Sequence, residues 1–131
     1  MDEQEFDRWN YVKKGLNLKA NLPPVKEGEV WWCAVGKNLG VEINGKNADF
    51  SRPVVVIKKL SRHSFIAVPL TSKRHTGTWY AEFEFSGKKE YANLTQIKAI
   101  SAYRLYNRIG TLPNSDLEII KDALKALIFG K

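Results

Sequence analysis

The stretch Arg52-Pro53-Val54-Val55-Val56-Ile57, followed after a short turn by Ser64-Phe65-Ile66-Ala67-Val68-Pro69-Leu70-Thr71-Ser72, decides the fold. Runs of β-branched and aromatic residues bounded by polar turn residues form strands. The pattern predicts strands at 53–60 and 64–70, joined by a turn at 61–63. Paired as a hairpin, the start of the first strand meets the end of the second. Arg52 then neighbours Thr71 and Ser72 at one rim of a sheet. Pro53 biases Arg52 toward extended backbone, which helps hold a guanidinium in a fixed direction. A planar fork of N–H donors beside two hydroxyls is a chemically sensible phosphate clamp. The same residues also suit an ordinary surface arginine before a strand and a Thr-Ser turn after one.

Outward from this pair the chain continues to read as β. Glu29-Val30-Trp31-Trp32-Cys33-Ala34-Val35 is a strand with much of its surface buried. Residues 36–51 carry Gly36, Gly40 and Gly45 among polar residues and read as a long loop next to the Arg52 rim. Long ordered loops in small domains tend to be functional. Residues 79–85 alternate, with Trp79, Ala81, Phe83 and Phe85 opposite Tyr80, Glu82 and Glu84. Residues 86–89 turn the chain into a strand at 90–94, and 97–101 extend the sheet. Trp31, Trp32 and Trp79, being on strands, read as core or dimer-interface residues.

Both ends read as helix. Over residues 2–18, Phe6, Trp9, Val12 and Leu16 recur at helical spacing, and Pro23-Pro24 ends the pattern. That stripe is too small to fold alone, so residues 1–24 read as an arm and linker on a main domain at 25–131. Near the C-terminus, Ser115 with Glu118 three residues on is a capping-box signature. Leu117, Ile120, Leu124, Leu127 and Ile128 follow as one apolar face. The fold class is mainly β: a small, strongly twisted barrel or half-barrel with a C-terminal amphipathic helix and an extra N-terminal helix.

Composition narrows the function classes. The 131 residues are 44% hydrophobic and 27% charged, which is globular. No apolar run approaches the ~20 residues of a membrane helix, and the acidic start is unlike a secretory signal. The expectation is a cytoplasmic protein without membrane association. One Cys and two His (His63, His75) argue against a structural zinc site. Net charge is +7, although four of the fourteen acids fall within the first seven residues. Between Asp49 and Glu82 there is no acid at all, while Arg52, Lys58, Lys59, Arg62, Lys73 and Arg74 lie there. Such a field attracts nucleic acid first and an acidic protein tail second. Walker, dinucleotide and Gly-x-Ser-x-Gly motifs are missing, as is any metal-binding His pair.

Five segments together carry a family resemblance. They are Val30-Trp31-Trp32, the run from Gly40-Val41-Glu42 through Phe50-Ser51-Arg52-Pro53-Val54-Val55-Val56-Ile57, Val68-Pro69-Leu70-Thr71-Ser72, Leu94-Thr95-Gln96-Ile97, and Arg104-Leu105 with Ile109-Gly110-Thr111-Leu112. In this order they resemble the MazF/PemK/Kid toxins of type II toxin–antitoxin systems, and the N-terminal arm resembles that of a PemK-like subgroup. The resemblance implies an SH3-like barrel, usually a homodimer, that cuts single-stranded RNA sequence-specifically without metal or other cofactor. It also implies a cognate antitoxin with an acidic, disordered tail. The family's catalytic arginine falls on Arg52 and its threonine on Thr71. Its loop acid falls on Glu42 and its strand-end glutamine on Gln96. Val41 stands where some relatives carry His, and Thr95 where many carry Asp or Glu, so a general base at those positions does not carry over.

For acid–base work Glu42 and His75 are the candidates. Lys46, Ser51, Ser72, Lys73 and Arg74 are expected to hold the RNA backbone, and Phe50 to stack on a base or enter the core. Two other readings share the chemistry or the fold: a toxin that binds DNA gyrase, as CcdB proteins do, and a non-catalytic RNA-binding barrel.

Overall fold

The computed structural model describes residues 24–35 and 51–130. They form strands β1 (Glu29–Ala34), β2 (Ser51–Ser61), β3 (Ser64–Thr71), β4 (Tyr80–Phe85), β5 (Lys88–Asn93), β6 (Lys98–Ser101) and β7 (Leu105–Thr111), then helix α1 (Asn114–Phe129). Every pairing is antiparallel. The strand order is β4-β5-β3-β2-β1-β7, with β6 also on β3. The expected mainly-β fold with a C-terminal helix is therefore what the chain adopts.

The unbroken apolar runs of β2 and β3 have a direct structural cause: both faces of these strands are covered. Val55, Ile57, Val68 and Leu70 face a core shared with Phe83, Ala92, Leu117, Ile120 and Leu124. Val54, Val56, Phe65 and Ala67 face a second core with Trp31, Cys33, Ile100 and Leu105. Along β3, residues 64–67 pair with β6 whereas Leu70 and Thr71 pair with β5. The strand thus hands over from one neighbour to the other along its length.

Glu29 ties β1 to β7. Its carboxylate is buried and accepts hydrogen bonds from the Lys26 backbone N–H (2.8 Å), Trp31 Nε1–H (3.1 Å) and Arg108 Nη1–H (3.0 Å). Burial pushes its pKa up, but the three donors and the Arg108 charge outweigh this and hold it below the usual 4.5. A carboxylate with a depressed folded-state pKa stabilises fully above its unfolded value, and that contribution fades as pH falls through the folded one. Glu29→Gln is therefore expected to lower unfolding free energy by about 1–3 kcal/mol at pH 7. The gap to the parent should close as urea melts are taken below the ordinary carboxylate range.

Four expectations need correction. Strand β7 was absent from the pattern reading; it is an edge strand in the described sheet, pairing with β1, and residues 107–109 are exposed. Ser51 belongs to β2 and not to the preceding loop. The Ser115–Glu118 capping box does not form, because the helix starts two residues earlier, with Pro113 in place of Ser115 at its N-cap and no side-chain cap. There the Pro113 carbonyl accepts from the Asp116 and Leu117 N–H groups. Ile128 is 57% exposed, off the buried face set by Leu117, Ile120 and Leu124. The N-terminal helix at 2–18, and Glu42, Lys46 and Phe50, lie outside the described residues.

Candidate active site

Strand register places the predicted pair. Val54 opposes Pro69 in the β2–β3 ladder. Two residues further along, on the same face of the sheet, Arg52 comes level with Thr71. On its other side Arg52 pairs with Cys33 of β1. Arg52 and Thr71 are both buried, as is Ser51. The two strand ends open into a cleft of about 280 Å³ walled by Trp32, Ser51, Arg52, Pro53, Leu70, Thr71, Ser72 and Glu90. A guanidinium and a hydroxyl separated by 19 positions in the chain thus share one small concavity.

Each group is held in a way that fixes its chemistry. Arg52 Nη1 lies 3.5 Å from the Leu70 carbonyl oxygen, to which it donates across the strand pair. Burial draws the Arg52 pKa below its usual value, since desolvation disfavours the charged form. A guanidinium nevertheless keeps its proton at neutral pH. An anion entering the cleft offsets that desolvation cost, so the burial itself favours anion binding. Thr71 Oγ1 accepts the Lys73 backbone N–H at 3.2 Å. That bond orients the hydroxyl and leaves its proton to be donated to an incoming oxygen.

Other expected site residues divide by position. Ser51 and Ser72 line the cleft with the pair. Lys73 and Arg74 follow Ser72 directly in sequence and are exposed, but neither is among the described residues that wall the cleft. His75 is half-buried, its ring stacked on Tyr80 at 4.0 Å with an interplanar angle of 3°, and edge-on to Tyr91 at 6.4 Å. Gln96 is half-buried on the one-turn helix Leu94–Gln96 and is not among the described residues that wall the cleft.

Glu90 and Trp32 are the residues that sequence reasoning missed. A signal for Glu90 was present: in Glu90-x-Ala92-x-Leu94 the period-two face that enters the core carries a carboxylate at its outer end. Trp32 is half-buried and reaches the cleft from β1, where it pairs with Pro53.

The sequence from residue 26 to 128 matches the family model of PemK-like, MazF-like toxins of type II toxin–antitoxin systems. No curated protein matches it. Among solved structures, MazF from Deinococcus radiodurans superposes with a TM-score of 0.63 at 18% identity, covering 85% of this chain and 99% of that one. A mycobacterial endoribonuclease in complex with its cognate antitoxin gives a TM-score of 0.58 at 22% identity, covering 82% of this chain and 95% of that one. At such identities these neighbours establish a shared fold.

Proposed function

The chain belongs to the PemK-like, MazF-like toxin family of type II toxin–antitoxin systems, and from that premise we propose that it is an endoribonuclease cutting single-stranded RNA without metal. The observation that carries this reading is the meeting of Arg52 and Thr71 in one cleft. RNA brings its own nucleophile. The 2′-oxygen attacks the adjacent phosphorus, the bond to the 5′-oxygen breaks, and the products are a 2′,3′-cyclic phosphate and a 5′-hydroxyl. The protein's share is to align the strand, neutralise charge gathering on the non-bridging oxygens, and handle two protons. Arg52 offers the charge-assisted fork to those oxygens, and Thr71 donates its hydroxyl proton to one of them. A protonated Arg52 also suits delivery of the proton to the leaving 5′-oxygen. Glu42 is the carboxylate we assign to the 2′-hydroxyl proton, and Lys46, Lys73 and Arg74 to the flanking backbone.

We further propose that the enzyme works in the cytoplasm as a homodimer and is silenced by an antitoxin with an acidic tail. The cationic segment from Arg52 to Arg74 suits such a tail as well as it suits RNA. No helix in the described residues is long and apolar enough to cross a membrane.

The test is to incubate purified protein with a long single-stranded RNA, with and without EDTA, and map the ends. Discrete cuts that persist in EDTA and leave 5′-hydroxyl ends are expected. Intact RNA, or cuts abolished by chelation, contradicts the proposal. Thr71→Val, which keeps shape and removes the donor, is expected to slow single-turnover cleavage about 10–100-fold, the cost of one transition-state hydrogen bond.

A further inference from the structure

Beyond the clamp the cleft continues into a second chamber of about 340 Å³, with Trp32, Pro53, Leu70 and Glu90 common to both. Val30, Phe85 and Ile109 add apolar wall, and Ser86 and Lys88 form the polar edge. One wall is set by a glycine. A Cβ at Gly110 would stand 2.9 Å from Phe85 Cζ, so the bare backbone of β7 is what lets the Phe85 ring lie there.

We infer that this chamber is a nucleobase subsite beside the scissile phosphate, in which Trp32 stacks on the base and Glu90 reads its Watson–Crick edge. The inference rests on the nuclease reading above and names the base that reading leaves open. An apolar chamber with an indole and one carboxylate matches a flat ring with a hydrogen-bonding rim. The carboxylate decides which rim. Ionised, it only accepts, and its two oxygens match two adjacent donors. Guanine presents N1–H and N2–H side by side on that edge. Cytosine and adenine offer one amino group each beside an acceptor nitrogen, and uracil flanks its single donor with two carbonyls. The expected order is guanine first, then cytosine and adenine, then uracil. An acidic antitoxin tail is the poorer occupant here, because its carboxylates meet Glu90.

The experiment compares wild type, Glu90→Gln and Trp32→Ala on a randomised single-stranded RNA pool, reading cleavage rate by sequence, with thermal melting to confirm that each variant folds. Wild type should prefer guanine at one position next to the cut. Glu90→Gln should cut that preference about 10–100-fold, the worth of one bidentate contact, and leave preferences elsewhere in place. Inosine, which lacks the N2 amino group, should slow wild type at that position and leave Glu90→Gln insensitive to the exchange. A wild type that cuts but favours no guanine there overturns the inference alone. So does a Glu90→Gln enzyme with the parent's sequence profile, or one slowed equally on all sequences, as loss of an acid–base group would do. A wild type that cuts no RNA overturns the nuclease reading and this inference together.

Discussion

Replacing Arg52 by alanine is expected to reduce RNA cleavage by about 10²–10³-fold or more, the usual cost of removing one preorganised donor to a developing oxyanion. Arg52→Lys should recover little of that loss. It restores a charge but not the planar pair of donors, and lysine is the more strongly hydrated cation in a buried setting. The side chain is 6% exposed and sits at a strand end, not in either apolar core. Both variants should therefore melt cooperatively and still bind antitoxin. Single-turnover cleavage paired with thermal melting separates the two effects. A cleavage rate near wild type in a folded Arg52→Ala protein removes the guanidinium from the chemistry.

The second large effect is on stability. Phe65→Ala empties a position 1% exposed in the core shared by Trp31, Val54, Val56 and Leu105, and should cost about 3–5 kcal/mol. Phe129→Ala, at 78% exposure on the last turn of α1, should change stability by less than about 0.5 kcal/mol. Urea unfolding of the two variants compares the same chemical deletion at two depths. Equal losses contradict the burial of Phe65 in the core it shares with Trp31, Val54 and Leu105.

The contrast between these positions also explains which parts of the molecule were legible in the sequence. Pro53-Val54-Val55-Val56-Ile57 and Phe65 to Leu70 announced strands because both their faces are buried, so every position is apolar. Their pairing followed from a short turn, and it alone fixed Arg52 near Thr71. Strand β7 gave no such signal. Residues 107–109 are exposed, Gly110 weakens the strand pattern, and Arg108 is spent on Glu29 across the β1–β7 pair. Edge strands of this kind are defined by their partner more than by their own residues. The capping box failed for a related reason: Ser115 and Glu118 have the right spacing, but Pro113 already begins the helix and its carbonyl takes up two N–H groups of the first turn.

At the site, the clamp was readable from strand ends while the base chamber was not. Glu90 shares a period-two face with Ala92 and Leu94, but which strand end that face meets is set only by the β3–β5 register. That register sets Leu70 opposite Ala92 and Thr71 opposite Tyr91, which brings Glu90 level with the end of β3. Trp32 had the same difficulty. An aromatic residue on an apolar strand reads as core, and only the opening between β2, β3 and β5 shows that one of the two adjacent indoles borders a cleft.

The convergence of Arg52 and Thr71 on a single phosphate is most directly tested by a double-mutant cycle, with Arg52→Lys, Thr71→Val and the pair measured by single-turnover RNA cleavage. Groups that hold one transition state together should be coupled, the double variant departing from the sum of the singles by about 0.5–3 kcal/mol. Strict additivity of the two losses would mean that guanidinium and hydroxyl act on separate events, and would contradict the account.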